Sequence, residues 1–398
     1  MTITKARAVR RRRGSIIEIP GARGVSYKLK FDLPTDVKGE RKTHYKTIRG
    51  TRDDAETELA RLTGQAGKGT DLDAGKQTLE TWIETWLELD HDISTRTLER
   101  YAELLRGHVV PRLGRYPLAT LGPLQIERCY AALAKSGLAP RSIVHVHRVL
   151  FQCLRDAKRY HGIDNPAENV KRRRIKQGQE AKMHVLPLET LLSLFETIRE
   201  TNFKSLPYPL AILAFDSGAR RGELLAIRWS DVDFDKRTLR IERAVDDTKA
   251  HGVVIKNEPK NESSRRTITL SLQTIETLKA WRARQGEDRL MLGKPLPDDA
   301  LVFPLSIETP TVPLRPREVT KSFSRIIAKR PDCAGFRLHD LRHSCASHLL
   351  ERGVSIPEVS RHLGHSSPQI TMTVYAHAIP DTGTGIGLLD RLTAAAAE

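Results

Sequence analysis

The chain reads as a multidomain α+β protein: a small three-stranded sheet plus helix, then an all-α helical bundle, then a mainly helical domain with a small antiparallel sheet. Three observations lead there. The 398 residues exceed what one hydrophobic core organises, so two or three domains are expected. Near the amino end, apolar and basic residues alternate with the period of a strand. From residue 79 the apolar period becomes that of amphipathic helices.

The first segment is basic. Residues 5–13, KARAVRRRR, hold six basic side chains and no acid, a run suited to a phosphate backbone or to a solvated tail. In Tyr27-Lys28-Leu29-Lys30-Phe31 the alternation puts Lys28 and Lys30 on one face. Lys42, His44 and Lys46 alternate likewise, with Gly39-Glu40 in the turn between. Lys28, Lys30, Lys42 and Lys46 are therefore expected on one basic sheet face. Thr51 should cap a helix running through Asp53 and Asp54 to about Leu62, its acids at the positive end. Residues 64–75, in which four of twelve residues are glycine, read as a linker.

The bundle follows. Leu79, Trp82, Ile83, Trp86 and Leu87 recur at helical spacing. A second helix carries Leu98, Tyr101, Leu105 and Val109 and is expected to stop at Pro111. A third runs from about Pro123 to Lys135, ended by Gly137. The fourth spans Arg141 to about Tyr160, with Ile143, Val146, Leu150, Leu154 and Ala157 on one stripe. Four helices with short connections make a bundle whose Trp and Leu stripes are core, not a cofactor box. Asn165-Pro166 breaks the pattern. Of the six residues in KRRRIK at 171–176, five are basic; Lys171, Arg172, Arg173 and Arg174 suit a connector crossing a phosphate backbone, or simply a solvated one.

Leu186-Pro187 opens the last domain, with a helix carrying Leu191, Leu192, Leu194, Phe195 and Ile198. Strand patterns cover Thr238 to Ala244, Val253 to Ile255 and Arg265 to Leu270, with NEPKNESSRR between the last two. Two segments concentrate chemistry. One is SGARRGELLAIRWSDVDF, Ser217 to Phe234, where Gly218 and its small neighbours allow a tight turn. The other is FRLHDLRHSCASHLLERGVSIPEVSRHLGHSSPQITMTVY, Phe336 to Tyr375. There His339 and Arg342 share a helix face, His365 follows in LGH, and Ser367-Pro368 starts a helix ending in Tyr375.

Lys plus Arg outnumber Asp plus Glu by 66 to 49, a net charge of +17 that fits a polyanion partner such as nucleic acid. Cys129, Cys153, Cys333 and Cys345 show no C-x-x-C spacing, so neither a zinc site nor a redox pair is signalled. No apolar run reaches the length of a membrane span, and the amino end lacks the apolar core of a signal peptide. A cytoplasmic, nucleoid-associated protein is expected. HDLRH does set His339 and His343 at i, i+4, the spacing of zinc hydrolases. Asp340 stands where their glutamate base would be and no third ligand position follows, so no metal and no cofactor is called.

An imidazole, a guanidinium, a second imidazole and a phenol are what metal-free phosphodiester chemistry requires. Arginine forks the non-bridging oxygens, histidine handles protons or charge, and tyrosine supplies a nucleophilic oxygen. HDLRHS, LGH and TVYAH, in this order and spacing, resemble the carboxyl-terminal signature of the tyrosine recombinases, the phage-integrase family. Under that resemblance Arg220 takes the place of the family's first arginine, with Glu223 one turn on to brace it; Arg221 is its neighbour and rival. Lys260 matches the catalytic lysine of the family's β-hairpin, just before a Ser-Arg-Arg strand start, although Asn261 stands where Thr is common. Lys249 and Lys256 are alternatives.

The resemblance implies a site of Arg220, Lys260, His339, Arg342, His365 and Tyr375. Tyr375 would attack phosphorus and form a covalent 3′-phosphotyrosyl bond, His339 would take its proton, Lys260 would protonate the departing 5′-oxygen, and His365 would hydrogen-bond the phosphate. It also implies an arm-binding domain at 1–66, a core-binding domain at 76–166, a basic linker at 167–184, a catalytic domain at 185–381 and a tail at 382–398. The partners implied are double-stranded DNA at attachment sites, three further copies in a tetramer, and accessory bending or directionality factors. A type IB topoisomerase-like enzyme and a DNA-binding regulator without catalysis are the competing readings.

Overall fold

The computed structural model describes residues 14–21, 24–32, 43–67, 77–171, 183–201, 206–257 and 264–378. The chain divides into two compact units, 1–180 and 181–398. Mainly helical architecture with small antiparallel sheets is what the sequence pattern predicts, and it is what the chain adopts.

The first unit begins with strands β1 (Ser15–Gly21), β2 (Gly24–Asp32) and β3 (Thr43–Arg49), an antiparallel meander with β2 in the centre. Helix α1 (Arg52–Gly67) covers one face. Tyr27, Leu29 and Phe31 are buried on that side with Ala55 and Leu62. Thr51 caps α1 as expected: the Asp54 N–H donates to Thr51 Oγ1 (3.2 Å), and the Thr51 N–H donates to Asp54 Oδ2 (2.8 Å). The helix then runs past Leu62 to Gly67.

The basic face differs from expectation at one residue. Cross-strand partners share a face, and the register pairs Lys28 with Thr47, Lys30 with Tyr45, and Lys46 with the buried Leu29. Lys46 therefore lies on the helix side, where its ammonium meets Glu58 of α1 at 2.7 Å. Lys28 and Lys30 stay on the open face, with the Lys28 ammonium 4.8 Å from the Tyr45 ring centre. Lys42 lies outside the described residues.

Next come α2 (Leu79–Glu88), α3 (Thr95–Leu104), α4 (Val110–Leu113), α5 (Pro123–Lys135) and α6 (Pro140–His161). The predicted stripes form their core, with Trp82, Ile83 and Trp86 packed among Val146, Leu150 and Leu154. Both indoles find polar partners: Trp82 Nε1 donates to the Cys153 carbonyl (3.0 Å), and Trp86 Nε1 to Asp156 (2.8 Å). The second helix does not stop at Pro111. A single π-turn, Leu105–Val109, resets the ladder, so Pro111 falls in the first turn of α4, where its missing N–H breaks nothing. The core also extends through Ala167 and Val170, beyond the Asn165-Pro166 break. Lys171 is exposed; Arg172, Arg173 and Arg174 lie outside the described residues.

The second unit opens with α7 (Leu188–Thr201), α8 (Tyr208–Ser217) and the single turn α9 (Arg221–Leu224). Helix α8 is apolar all round and central, with Leu210 to Ala214 buried. The strands are β4 (Val232–Asp233), β5 (Thr238–Ile241), β6 (Ala244–Thr248), β7 (Gly252–Lys256) and β8 (Arg266–Thr269). They form a β4-β5-β8 sheet and a separate β6-β7 hairpin, so the segment read as one strand over Thr238 to Ala244 belongs to two sheets. Then follow α10 (Leu272–Met291), the hairpin of β9 (Pro304–Ser306) and β10 (Thr309–Pro313), and α11 (Pro316–Ile327). The last helices are α12 (Asp340–Glu351), α13 (Ile356–Leu363) and α14 (Pro368–Tyr375). Ala346, Leu350, Val359, Leu363 and Tyr375 form a small core of their own among them. Among the described residues no helix is long and apolar enough to cross a membrane, and the four cysteines are buried and free.

Candidate active site

The site is framed by a helix that stops sharply. Gly218 ends α8 in the left-handed region (φ 55°), where a Cβ would lie 2.6 Å from Leu363 Cδ2. The reversal delivers Arg220 to the position just before α9. Glu223, in the first turn, reaches back: the Arg220 N–H donates to Glu223 Oε2 and Arg220 Nη1 to Oε1, both at 2.9 Å. Arg266, at the start of β8, donates from Nη2 to the same carboxylate (2.9 Å). Both guanidiniums also hold the end of α13: Arg266 Nε donates to the His362 carbonyl (2.8 Å), and Arg220 Nη2 to that of Gly364 (3.3 Å). Cations at a helix carboxyl end meet its unpaired carbonyls. Burial alone raises the Glu223 pKa; the charge and hydrogen bond of Arg266, then those of Arg220, outweigh it and leave it below the usual range.

Arg342 enters from α12. It is 3% exposed, donates from Nη1 to the Gly218 carbonyl (2.6 Å), and forms no ion pair among the described residues. Burial, then the neighbouring Arg220 charge, push its pKa down to about 10. A buried guanidinium beside a second one, with Glu223 already engaged, is a receptor short of an anion.

Tyr375 closes the pocket from the end of α14. Its side chain is 1% exposed, and burial raises its pKa to about 12 against the pull of Arg342. The phenol oxygen lies 2.7 Å from His343 Nδ1. His339, the expected proton acceptor, instead meets the His343 ring edge-on with centres 4.9 Å apart. The ring of His365 lies nearly parallel to that of Tyr375, 6.4 Å away, and its Nδ1 is 2.8 Å from Thr371 Oγ1. Burial first, then Arg342 among nearby cations, lowers His365 to about 4. Burial, then His343 and Arg342, does the same to His339. Ser367 occupies the position before α14, but its side chain makes no capping bond there.

The structure thus brings Arg220, Glu223, His339, Arg342, His365 and Tyr375 into one cluster. Lys260 lies outside the described residues. Of its alternatives, Lys256 is paired with Asp246 at 2.6 Å. Arg221, the rival of Arg220, turns away to Thr320 on α11. Three members escaped the sequence reading. In the sequence His343 shows only its zinc-like spacing to His339, Arg266 only a strand start, and Thr371 no signal. Among the described residues no group of three or more His, Cys, Asp or Glu side chains is arranged to hold a metal ion.

Comparison with known proteins agrees with this architecture. Residues 184–381 match the model of the phage integrase family, and residues 78–134 that of the phage integrase N-terminal SAM-like domain. A tyrosine recombinase XerC-like protein of Caldanaerobacter subterraneus subsp. tengcongensis is 27% identical over 355 residues, covering 84% of this chain and 88% of its own. An integrase of Streptomyces ambofaciens is 30% identical over 303 residues, 74% of this chain and 75% of its own. The Tn1549 transposon integrase, solved in complex with a circular intermediate DNA, shares the fold with a TM-score of 0.64 at 18% identity, covering 79% of this chain and 99% of that one. With two arginines converging on a buried tyrosine, and with relatives matched along three quarters of their length, the chain belongs to the phage integrase family of tyrosine recombinases.

Proposed function

We propose that this tyrosine-type site-specific DNA recombinase cuts and rejoins strands with Tyr375 as nucleophile and the Arg220–Arg342 pair as phosphate receptor. The observation that carries the reading is Arg342, buried without an ionic partner among the described residues beside a second guanidinium. A phosphodiester supplies the missing charge. Each guanidinium offers a fork to the non-bridging oxygens, and fixed donors of this kind stabilise the charge that grows in the transition state. Attack by the phenol expels the 5′-oxygen and leaves a 3′-phosphotyrosyl ester. That ester conserves the free energy of the broken bond, so rejoining needs no ATP.

His365 is oriented by Thr371 through Nδ1, which leaves Nε2 for a phosphate oxygen. His339 borders the same pocket next to His343. Lys260 is the proposed acid for the departing oxygen. Exchanging two duplexes breaks four strands, and each copy carries one such phenol, so four copies act together on paired attachment sites of a mobile element. Accessory bending or directionality factors, an arm-binding role for 1–66, a core-binding role for 76–166, a basic linker at 167–184, catalysis by 185–381 and a tail at 382–398 belong to the same proposal. Four buried free thiols fit a reducing, cytoplasmic setting around the nucleoid.

The test is covalent trapping on a core-site duplex nicked next to the scissile phosphate. Wild type should accumulate a protein–DNA adduct in a denaturing gel, and Tyr375→Phe should bind the duplex yet yield none. Adducts with Tyr375→Phe would move the nucleophile elsewhere.

A further inference from the structure

Tyr375 is buried, so its phenolic hydrogen requires an acceptor inside the protein. His343 Nδ1, at 2.7 Å, is the atom that the described residues bring to it. A neutral imidazole with its proton on Nε2 presents a lone pair at Nδ1, and Tyr375 Oη then donates to it. The other two imidazoles are otherwise turned. His339 lies edge-on to His343, and His365 stacks on the Tyr375 ring with its Nδ1 on Thr371. Of the three rings, one aims a nitrogen at the nucleophilic oxygen.

We propose that His343 takes the Tyr375 proton as the phenol attacks phosphorus and returns it on rejoining. The inference rests on Tyr375 being the nucleophile. In cleavage the Oη–P bond forms, the Oη–H bond breaks, and the proton passes to Nδ1. The P–O5′ bond breaks, and O5′ takes a separate proton from the acid, assigned above to Lys260. The products are a phosphotyrosine, an imidazolium and a 5′-hydroxyl. In rejoining, the 5′-hydroxyl attacks phosphorus, its proton goes back to the acid, and the departing phenolate recovers the proton held by His343. No oxidant, metal or nucleotide enters the balance.

The groups around His343 suit the task. It faces Arg337, His339 and Arg342 along its own segment, Tyr375 on α14, and His365 just before that helix. Burial, then Arg342 and Arg337, lower it to about 4, so the lone pair is available at neutral pH. The same cations oppose an imidazolium while the pocket is empty. A bound phosphodiester offsets them, which couples proton transfer to the presence of DNA.

The experiment is single-turnover cleavage of the nicked core-site duplex by the full chain between pH 5.5 and 9. His343→Asn can accept the phenol's hydrogen bond but cannot hold its proton. Wild type should be flat between about pH 6 and 8. His343→Asn should be slower by about 100-fold or more at pH 7 and gain about tenfold per pH unit, because hydroxide must then make the phenolate. Added imidazole should restore part of the rate to His343→Ala. A His343→Asn rate within about threefold of wild type, with a flat profile, would overturn the proposal. So would a wild-type rate that itself climbs about tenfold per unit through this range, a result that needs no variant to fold. Adducts formed by Tyr375→Phe would sink the nucleophile reading itself, whereas the His343 outcomes bear on the base alone.

Discussion

Arg266 and Glu223 form an ion pair of 2.9 Å in which the two side chains are 4% and 7% exposed. Neither charge is free to approach DNA. The pair acts instead on Arg220, whose guanidinium and backbone N–H both bind the carboxylate that Arg266 anchors. Arg220 itself remains 42% exposed on its side chain, available to a phosphate.

Glu223→Ala should destabilise the second unit by about 3–5 kcal/mol, because it leaves the Arg266 charge buried and unpaired. Urea unfolding followed by tryptophan fluorescence measures this. The pH dependence has a definite sign. Glu223 has a folded-state pKa below the ordinary 4.5 of a glutamate, so its contribution is full above 4.5 and disappears as pH falls through the lowered value. Glu223→Gln should flatten that acid limb of the stability curve.

Gly218→Ala should harm both stability and cleavage. The new Cβ would meet Leu363 Cδ2 at 2.6 Å, at a φ of 55° that side chains rarely adopt. Leu363 would have to give way, and any relaxation of the strained φ would shift the Gly218 backbone, whose carbonyl holds Arg342. A loss of about 1–3 kcal/mol in thermal or urea unfolding is expected from overpacking alone. Single-turnover cleavage should fall further than bound fraction does. Equal losses in binding and cleavage would argue against a positioning role for this carbonyl.

Lys260→Ala should cleave an ordinary core site about 100-fold or more slowly, as expected when a general acid is lost. A substrate with sulfur at the 5′-bridging position has a leaving group that needs no proton. It should recover most of the rate for Lys260→Ala, while Arg342→Ala stays slow. Recovery with Lys256→Ala instead would assign the acid to the lysine that the structure pairs with Asp246.

On the amino-terminal sheet the two faces should behave differently. Lys28→Ala and Lys30→Ala should each weaken binding of residues 1–70 to attachment-region DNA and reduce the salt slope by about 0.9. Lys46→Ala should leave the slope unchanged and cost at most about 1 kcal/mol of stability, since its ammonium already faces Glu58. Titration against specific and random duplex at several salt concentrations checks both. A slope change with Lys46→Ala would reverse the assignment of faces.

Local signals were legible and tertiary ones were not. The stripe Leu79, Trp82, Ile83, Trp86 and Leu87 predicts its helix because apolar period is a property of a few consecutive residues. The two arginines and the tyrosine were marked by neighbours in sequence. Alternation alone does not place Lys46, because its face depends on the register with β2, and Leu29 opposite it decides the matter. His343 carries no such mark, because its partner lies 32 residues away and is reached only when α14 docks on α12. Arg266 was hidden in the same way, since its three acceptors come from 223, 264 and 362. Pro111 shows the converse: a strong local stop was overruled by a π-turn that no periodicity announces.

The carbonyls of His362 and Gly364 are grasped by Arg266 and Arg220, and Glu223 ties those two arginines together. Three stretches that are remote in sequence are therefore a single inheritable part. A chimera that took 217–225 from one relative and 355–366 from another would bring together halves fitted to different partners. The residue identities could all be preserved and the junction still fail, by a few tenths of an ångström at a carbonyl. Hybrid recombinases built on this chain should exchange 217–225, 264–270 and 355–366 together, while changes of target preference are sought in segments that touch none of them.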